Sequence, residues 1–170
     1  MRKLALALAL VAALAVPTLA SARPKAASPN IVETAIAVNS SGPYAGAFDT
    51  LICLVANNPT VLATLSEKGQ YTVFAPTDAA FTQIGIDSSN CAKVASTPLV
   101  TNVLLYHVAK GRRNAASVTS SSRIRMLNRS FTRISTNGSA YFINDAQIIA
   151  TDIFASNGVI HAIDKVLMPK

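Results

Sequence analysis

The residues best suited to acid–base chemistry in this sequence are its two histidines, His107 and His161. Imidazole titrates near neutral pH, so a pair can act as acid and base in hydrolysis, as in small basic secreted ribonucleases, with Lys165 near a phosphate. The alternative is structural, with each ring bonding a neighbouring backbone group or Asp. Because Tyr106 and His107 end a helix whose other residues form core, we expect the structural role.

Other catalytic and metal-binding patterns are missing from the sequence. It contains no G-x-S-x-G nucleophile motif, no P-loop and no dinucleotide fingerprint. The two Cys and two His show neither C-x-x-C nor H-x-x-x-H spacing, so a metal site is not indicated. We therefore expect a protein that is not an enzyme and that needs no metal or cofactor.

The amino terminus predicts export. Arg2 and Lys3 precede an apolar run of thirteen residues from Leu4 to Val16, and Ala20-Ser21-Ala22 supplies small residues for cleavage. The run is shorter than the roughly 20 residues that span a bilayer, and no later stretch predicts a transmembrane segment. We interpret residues 1–22 as a signal peptide, 23–29 as a tether and 30–170 as one domain. The expected location is extracellular, periplasmic or cell-surface associated.

Both cysteines, Cys53 and Cys91, lie in the part that would be exported. Two Cys in an exported protein most simply pair, here closing a loop of about 39 residues. Without Arg2 and Lys3 the mature chain keeps 13 Lys and Arg against eight Asp and Glu, a formal charge of +5. With charged residues at only 14% of the chain, a disordered polyelectrolyte is excluded.

Basic residues are concentrated between positions 110 and 133. The guanidinium group of Arg forms bidentate hydrogen bonds with sulfate, phosphate or carboxylate. A row of basic residues such as this basic stripe at 110–133 attracts polyanions in a salt-dependent way. The alternative is a solvated sheet edge whose charge discourages aggregation. The stretch contains no Asp or Glu, and its basic residues are Lys110, Arg112, Arg113, Arg123, Arg125, Arg129 and Arg133.

The arrangement of the stripe favours one class of partner. The two-residue period of a strand puts Arg123 and Arg125 on one face, which Arg129 and Arg133 extend. Acidic glycan is favoured over nucleic acid, because the chain is expected outside the cell and because Phe131 is the only aromatic residue in the stretch.

Helices are predicted in the first half of the domain. Their expected starts follow from capping residues and from proline at the first helical position. A helix from Phe48 to Val55 carries Cys53, and Asp78 lies in the first turn of a helix capped by Thr77. The other starts are Asn30-Ile31, Asn58-Pro59 and Thr97-Pro98, with Leu99 on the apolar side of the last helix and Gly111 at its end.

Strands are predicted elsewhere. Tyr71–Phe74 is a short β-type run stopped by Pro76, and short apolar runs begin near Val118. Asn137-Gly138 and Asn157-Gly158 are typical hairpin turns. Helices followed by an antiparallel sheet indicate an α+β fold. The later predicted strands are 131–135, 141–143, 148–154 and 159–163.

Three segments, taken together, resemble the signatures of the fasciclin domain family. Thr72–Phe81 (TVFAPTDAAF) resembles the first signature, Leu104–Val108 (LLYHV) resembles the Tyr-His box, and Asn157–Pro169 (NGVIHAIDKVLMP) resembles the second signature. The likeness extends over about residues 30–169, and the three segments occur in the family's order. The chain is therefore identified as similar to secreted single-domain fasciclin-like proteins of the bacterial type.

The resemblance implies a fold, a function and candidate residues. The implied fold is helices packed on a twisted antiparallel β-wedge, and the implied function is adhesion to extracellular or cell-surface proteins or glycans. In animal members an Asp-Ile pair and the Tyr-His box are associated with adhesion, and the matching positions here are Asp152, Ile153, Tyr106 and His107. Packing of Ile153 beside a solvated Asp152 is the alternative explanation for that pair.

These observations together predict an exported binding or adhesion module that recognises an extracellular protein or an acidic polysaccharide. Two other functions remain open: a secreted carrier with an apolar pocket between helices and sheet, and a small basic hydrolase. The sequence specifies no oligomeric state.

Overall fold

The computed structural model describes residues 28–169. The predicted signal peptide and most of the predicted tether lie outside the described residues. Within the described range the chain forms seven helices and seven strands. The helices are α1 (Ile31–Ser40), α2 (Asp49–Ala56), α3 (Pro59–Ser66), α4 (Asp78–Thr82), α5 (Cys91–Val94), α6 (Pro98–Tyr106) and α7 (Ala115–Thr119). The strands are β1 (Tyr71–Pro76), β2 (Val108–Lys110), β3 (Arg123–Arg125), β4 (Phe131–Asn137), β5 (Ala140–Ile143), β6 (Ala146–Ala155) and β7 (Gly158–Ile163).

Three of the predicted helix starts are confirmed by their caps. Asn30 accepts a hydrogen bond from the Glu33 amide while the Glu33 carboxylate accepts one from the Asn30 amide, which forms a capping box at α1. The Asn58 and Thr97 side chains likewise cap α3 and α6, each followed by proline at the first helical position. These side chains satisfy amide groups that would otherwise lack a partner at the start of a helix.

Two predictions about α6 are wrong. The helix ends at Tyr106, as expected from the Tyr106-His107 segment, and not at Gly111, because Val108 already pairs with Val73 in the sheet. Leu99, predicted on the apolar side, is 66% exposed, since the buried face of α6 is formed by Val100, Val103 and Leu104.

Two shorter elements also differ from the prediction. Val118 lies in the one-turn helix α7 instead of a strand. Asp78 does begin α4, but its carboxylate accepts hydrogen bonds from the amides of Asp49 at 3.1 Å and Thr50 at 2.8 Å. It therefore caps α2, while the Thr77 side chain makes no capping hydrogen bond to α4.

The strands form one mixed sheet that nearly closes on itself. Their order is β2-β1-β7-β6-β5-β4-β3, and a bridge between Ala109 and Met126 joins the two outer strands. The Leu127 amide also donates to the Val108 carbonyl at 2.7 Å. The helices and this sheet form the expected α+β fold, but the sheet is close to a barrel.

The expectation of a purely antiparallel sheet is wrong, because β1 and β7 run parallel. The two strands approach closely at Gly158, which pairs with Tyr71. A Cβ atom at position 158 would overlap the Tyr71 carbonyl oxygen and crowd Ile31, so only glycine fits there. The predicted hairpins are present, with the two-residue loops one position away from those expected, at 138–139 and 156–157.

Two apolar cores hold the layers together. One lies between the helices and the outer surface of β1 and β7, and includes Leu54, Phe81 and Ile160. The other fills the interior of the curved sheet and includes Phe74 and Ile163. The alternation along β1 and β7 sends neighbouring side chains into different cores.

The predicted disulfide is present in the structure. Cys53 on α2 and Cys91 at the start of α5 are bonded, with their Cα atoms 6.1 Å apart. The bridge spans 38 positions of sequence and ties α5 to the helical layer.

Candidate functional site

His107 is a buried structural residue. Its ring is 2% exposed, and Nδ1 donates to the Val103 carbonyl at 2.7 Å while Nε2 accepts from the Leu167 amide at 2.8 Å. Both ring nitrogens are therefore occupied by the main chain. Burial lowers the pKa of His107 to about 4, against the opposing effect of the bond to Val103. The neutral ring joins the end of α6 to the carboxyl-terminal segment.

His161 is also bonded on both nitrogens. Nε2 donates to the Arg113 carbonyl at 2.9 Å, and Nδ1 accepts from the Asp152 amide at 3.3 Å. The ring stacks on Phe74 with centroids 5.6 Å apart. Burial is the main cause that lowers the pKa of His161. Neither histidine offers a free nitrogen to a substrate, and this geometry supports the structural role for both.

Asp152 and Ile153 lie at an irregular part of β6. Asp152 has φ 60° and sits beside a register shift, and its carboxylate accepts from the Ala115 amide at 2.8 Å. Asp152 therefore holds the start of α7 and is more than the solvated neighbour that the sequence predicts. Ile153 is half-buried against the helical core, as its packed alternative predicts.

Tyr106 connects α6 to the outer strand β4. Its ring is 3% exposed, its hydroxyl donates to the Phe131 carbonyl at 3.1 Å, and the same oxygen accepts from Asn144 Nδ2 at 3.1 Å. Asn144 in turn accepts from the Arg133 amide through Oδ1 at 2.9 Å. Tyr106 and Asn144 thus fix the main chain on both sides of Thr132.

The exposed face of β3 and β4 carries the central part of the basic stripe. In the antiparallel register of β3 and β4, Arg123 lies directly opposite Arg133, and Arg125 lies opposite Phe131. The Arg123 guanidinium stacks on Phe131, with its carbon 5.2 Å from the ring centroid. Phe131 is itself 54% exposed. Two like charges thus stand side by side next to an exposed aromatic ring.

A groove of about 910 Å³ runs between this face and the carboxyl-terminal segment. Arg123, Phe131 and Arg133 line one side, and Met168 and Pro169 line the other. Ser130, Asn144 and Asp145 add polar groups to it. The complete lining is Tyr106, Arg123, Ser130, Phe131, Thr132, Arg133, Asn144, Asp145, Val166, Met168 and Pro169.

Charge in the groove is only partly compensated. Within residues 28–169 one salt bridge is present, between Lys165 Nζ and Asp145 at 3.7 Å. The groove arginines are not part of it. The groove therefore presents two guanidinium groups, those of Arg123 and Arg133, and one carboxylate, that of Asp145. The Asp145 carboxylate forms its salt bridge with the exposed Lys165.

The structure brings together some of the predicted site residues and separates others. Tyr106, Arg123 and Arg133 line the groove. Arg125 and Arg129 are exposed on the same β3–β4 hairpin, with Arg129 in its turn at φ 73°. The remaining predicted residues, His107, Asp152 and Ile153, do not line it.

Sequence reasoning missed eight of the eleven residues that line the groove. Phe131 and Arg133 are two positions apart on one strand, so the alternation of a strand was a sufficient signal for placing Phe131 beside the arginines. Asn144 and Asp145 form the two-residue turn between β5 and β6, as their residue types allow. Met168 joins the groove through long-range packing, for which the sequence gives no local signal.

An apolar cavity of about 40 Å³ lies between α1, α2, α3 and the sheet. Its lining includes Ile31, Leu51 and Val73. A single water occupies about 30 Å³ in the liquid, and a cavity that binds benzene measures about 150 Å³. The cavity is therefore too small for a lipid or a metabolite, which argues against the carrier hypothesis. Residues 28–169 also contain no cluster of His, Cys, Asp and Glu suited to a metal ion, and no helix long and apolar enough to cross a membrane.

Comparisons with known proteins agree on one family. A fasciclin domain model matches residues 46–169. The chain is similar to protein sll1483 of Synechocystis, at 35% identity over 92% of this chain and 90% of the relative. It is also similar to immunogenic protein MPB70 of Mycobacterium bovis, at 33% identity over 66% of this chain and 57% of that protein.

A solved structure supports the fold. The FAS1 domain pair of the insect cell adhesion molecule fasciclin I matches with a TM-score of 0.62 and 16% identity, over 83% of this chain and 51% of that one. This chain thus corresponds to about half of the insect domain pair and spans little more than half of MPB70.

Proposed function

Because the chain belongs to the fasciclin domain family, we propose that it is an exported, non-enzymatic binding module that attaches to an acidic extracellular partner. The proposed organisation is a signal peptide at 1–22, a tether at 23–29 and a domain at 30–170. Adhesion enters this proposal from the solved relative, fasciclin I, which is an insect cell adhesion molecule. The disulfide between Cys53 and Cys91 supports a location outside the reducing cytoplasm.

The observation that carries the proposal is the pairing of Arg123 with Arg133. Like charges directly opposite each other on neighbouring strands destabilise a sheet. An anion between the two guanidinium groups would remove that repulsion and gain charge-assisted hydrogen bonds. A solvated edge needs charge for solubility, but it does not need two arginines in register beside an exposed phenylalanine.

The proposed site is the outer face of the β3–β4 hairpin. Arg123 and Arg133 make the direct contacts, and Arg125 and Arg129 add long-range attraction. Tyr106 supports the site by holding the main chain of β4. His107, Asp152 and Ile153 are assigned no contact with the partner, because their polar groups or side chains are already used inside the fold.

The test is retention of the purified protein on immobilised acidic and neutral polysaccharides across a salt series. We expect retention on the acidic polymers alone, falling steeply as salt rises, because exposed charges are screened. A variant with Ser at positions 123, 125, 129 and 133 should not be retained. Equal retention of both proteins, or retention that ignores salt, would contradict the proposal.

A further inference from the structure

We propose that the groove between β4 and the carboxyl-terminal segment binds a carboxylated sugar unit of an acidic polysaccharide, rather than a densely sulfated chain. The inference rests on the proposed function and names the chemistry of its partner. Three features of the groove carry it: the paired arginines, the exposed aromatic ring and the carboxylate of Asp145.

The arginine pair supplies the site for the acidic group. Arg123 and Arg133 are opposite each other and line the same groove. Guanidinium groups are planar donors that match the two oxygens of a carboxylate. One carboxylate between them neutralises one of the two charges and relieves their repulsion. A carboxylate at this position is also beside Phe131.

Phe131 and Met168 supply the apolar surface. The Phe131 ring is 54% exposed and Met168 is 50% exposed, and both line the groove. Arg123 stacks on the Phe131 ring and fixes its position. A sugar ring has an apolar face of C–H groups that packs on such a surface and thereby removes it from water.

The carboxylate of Asp145 favours binding of a carboxylated sugar over binding of a polysulfate. Its side chain is 78% exposed and lies in the groove, with Lys165 at 3.7 Å. A carboxylate accepts hydrogen bonds and donates none, so it needs donors such as sugar hydroxyls. The same charge repels a chain that carries sulfates on every unit. The groove therefore suits a sparsely charged polymer that is rich in hydroxyl groups.

An acidic polypeptide fits these groups less well. Its carboxylates satisfy the arginines, but Asp and Glu side chains offer Asp145 further negative charge rather than hydroxyl donors. Polyglutamate is therefore the probe for the competing class of partner.

The experiment measures binding of the purified protein to polygalacturonate, dextran sulfate, polyglutamate and neutral dextran at one salt concentration. We expect the tightest binding to polygalacturonate. Asp145→Asn should weaken binding to polygalacturonate and strengthen binding to dextran sulfate. Phe131→Ala should weaken polygalacturonate binding about tenfold, the loss expected for an exposed aromatic contact of about 1.4 kcal/mol.

Arg112 and Phe154 provide a matched control outside the groove. The Arg112 guanidinium carbon lies 5.1 Å from the centre of the Phe154 ring, which is 55% exposed, so this pair resembles Arg123 and Phe131 in chemistry. Phe154→Ala should leave polygalacturonate binding unchanged.

The outcomes separate the inference from the proposed function. If no acidic polymer binds, both fail. If dextran sulfate or polyglutamate binds more tightly than polygalacturonate, or if Asp145→Asn strengthens binding to every acidic polymer, the proposed function stands and the inference is overturned. An equal effect of Phe131→Ala and Phe154→Ala would also overturn it.

Discussion

Arg123 and Arg133 occupy directly opposite positions on the antiparallel strands β3 and β4, with both side chains exposed. Opposite residues on neighbouring strands have Cβ atoms about 5 Å apart, so the two charges repel each other in the free protein. The stack of Arg123 on Phe131 holds one of the two side chains in place. The repulsion on the exposed face of β3 and β4 thus lowers the free energy of unfolding, which is typical of surfaces that are used for binding.

Removing one of these charges should stabilise the free protein. We expect Arg133→Thr to raise the free energy of unfolding by about 0.5 kcal/mol at low salt, because the repulsion from Arg123 is lost. The gain should disappear at about 1 M salt, where charges are screened within about 3 Å. Urea unfolding at both salt concentrations measures it. Arg125→Thr is the control, since Arg125 faces Phe131, and an equal gain in that variant would contradict the explanation.

Loss of the Tyr106 hydroxyl should affect both stability and the groove. Tyr106→Phe leaves the Phe131 carbonyl and the Asn144 amide without their shared partner. We expect a loss of about 1–2 kcal/mol in the free energy of unfolding, the usual cost of unpaired, partly buried polar groups. Binding to acidic polysaccharide should weaken as well, because β4 loses a support. Tyr141→Phe, on the exposed part of β5, should change neither quantity.

The stability of the fold should depend on pH through His107. An unfolded histidine has a pKa of about 6.5, and burial lowers the pKa of His107 to about 4 in the folded protein. Between these values the unfolded chain binds a proton that the folded protein does not. The contribution of neutral, buried His107 to the free energy of unfolding is therefore fully present above about pH 6.5, and it is lost as the pH falls towards 4.

The expected loss across that interval is about 3 kcal/mol for His107. The lowered pKa of His161 adds a loss of the same sign. Urea unfolding from pH 7 to pH 4 measures the slope. In His107→Gln the slope should be shallower, although the variant is less stable at pH 7. An unchanged slope would show that His107 is not responsible.

The disulfide should contribute much of the stability of the helical layer. Replacing Cys53 and Cys91 together by Ser removes a closed loop that spans 38 positions, and the chain-entropy estimate for a loop of this size is about 4 kcal/mol. Thermal unfolding of the double variant, compared with the oxidised parent, measures this loss. A variant as stable as the parent would contradict the entropy estimate and would mean that structure retained in the unfolded chain already restrains the loop.

Local sequence signals predicted the elements better than their arrangement. Asn30, Asn58 and Thr97 marked helix starts correctly, because capping depends on residues three positions away. The parallel pairing of β1 with β7 joins segments about 87 positions apart in sequence, such as Tyr71 and Gly158. No local pattern encodes such a pairing, which depends on burying both strands between the two cores.

For the candidate site too, the sequence predicted the exposure of single residues better than their arrangement in space. The composition and spacing of residues 110–133 correctly placed Arg123, Arg125 and Arg133 on exposed strand positions. The pairing of Arg123 with Arg133 was not predicted, because it depends on the length of the β3–β4 turn. The second side of the groove, Met168 and Pro169, comes from a segment that packs there through Leu167 and its bond to His107.

The central claim is that the arrangement of the arginines, and not the net charge alone, produces binding. The most direct measurement compares two variants of equal charge on an immobilised acidic polysaccharide across a salt series: Arg123→Ser with Arg133→Ser, and Arg125→Ser with Arg129→Ser. We expect the first to abolish retention at salt concentrations where the second is still retained, because only the first removes the pair that lines the groove. Identical retention of the two variants would contradict the claim, because it would mean that retention depends on the net positive charge of the face and not on the position of the arginines.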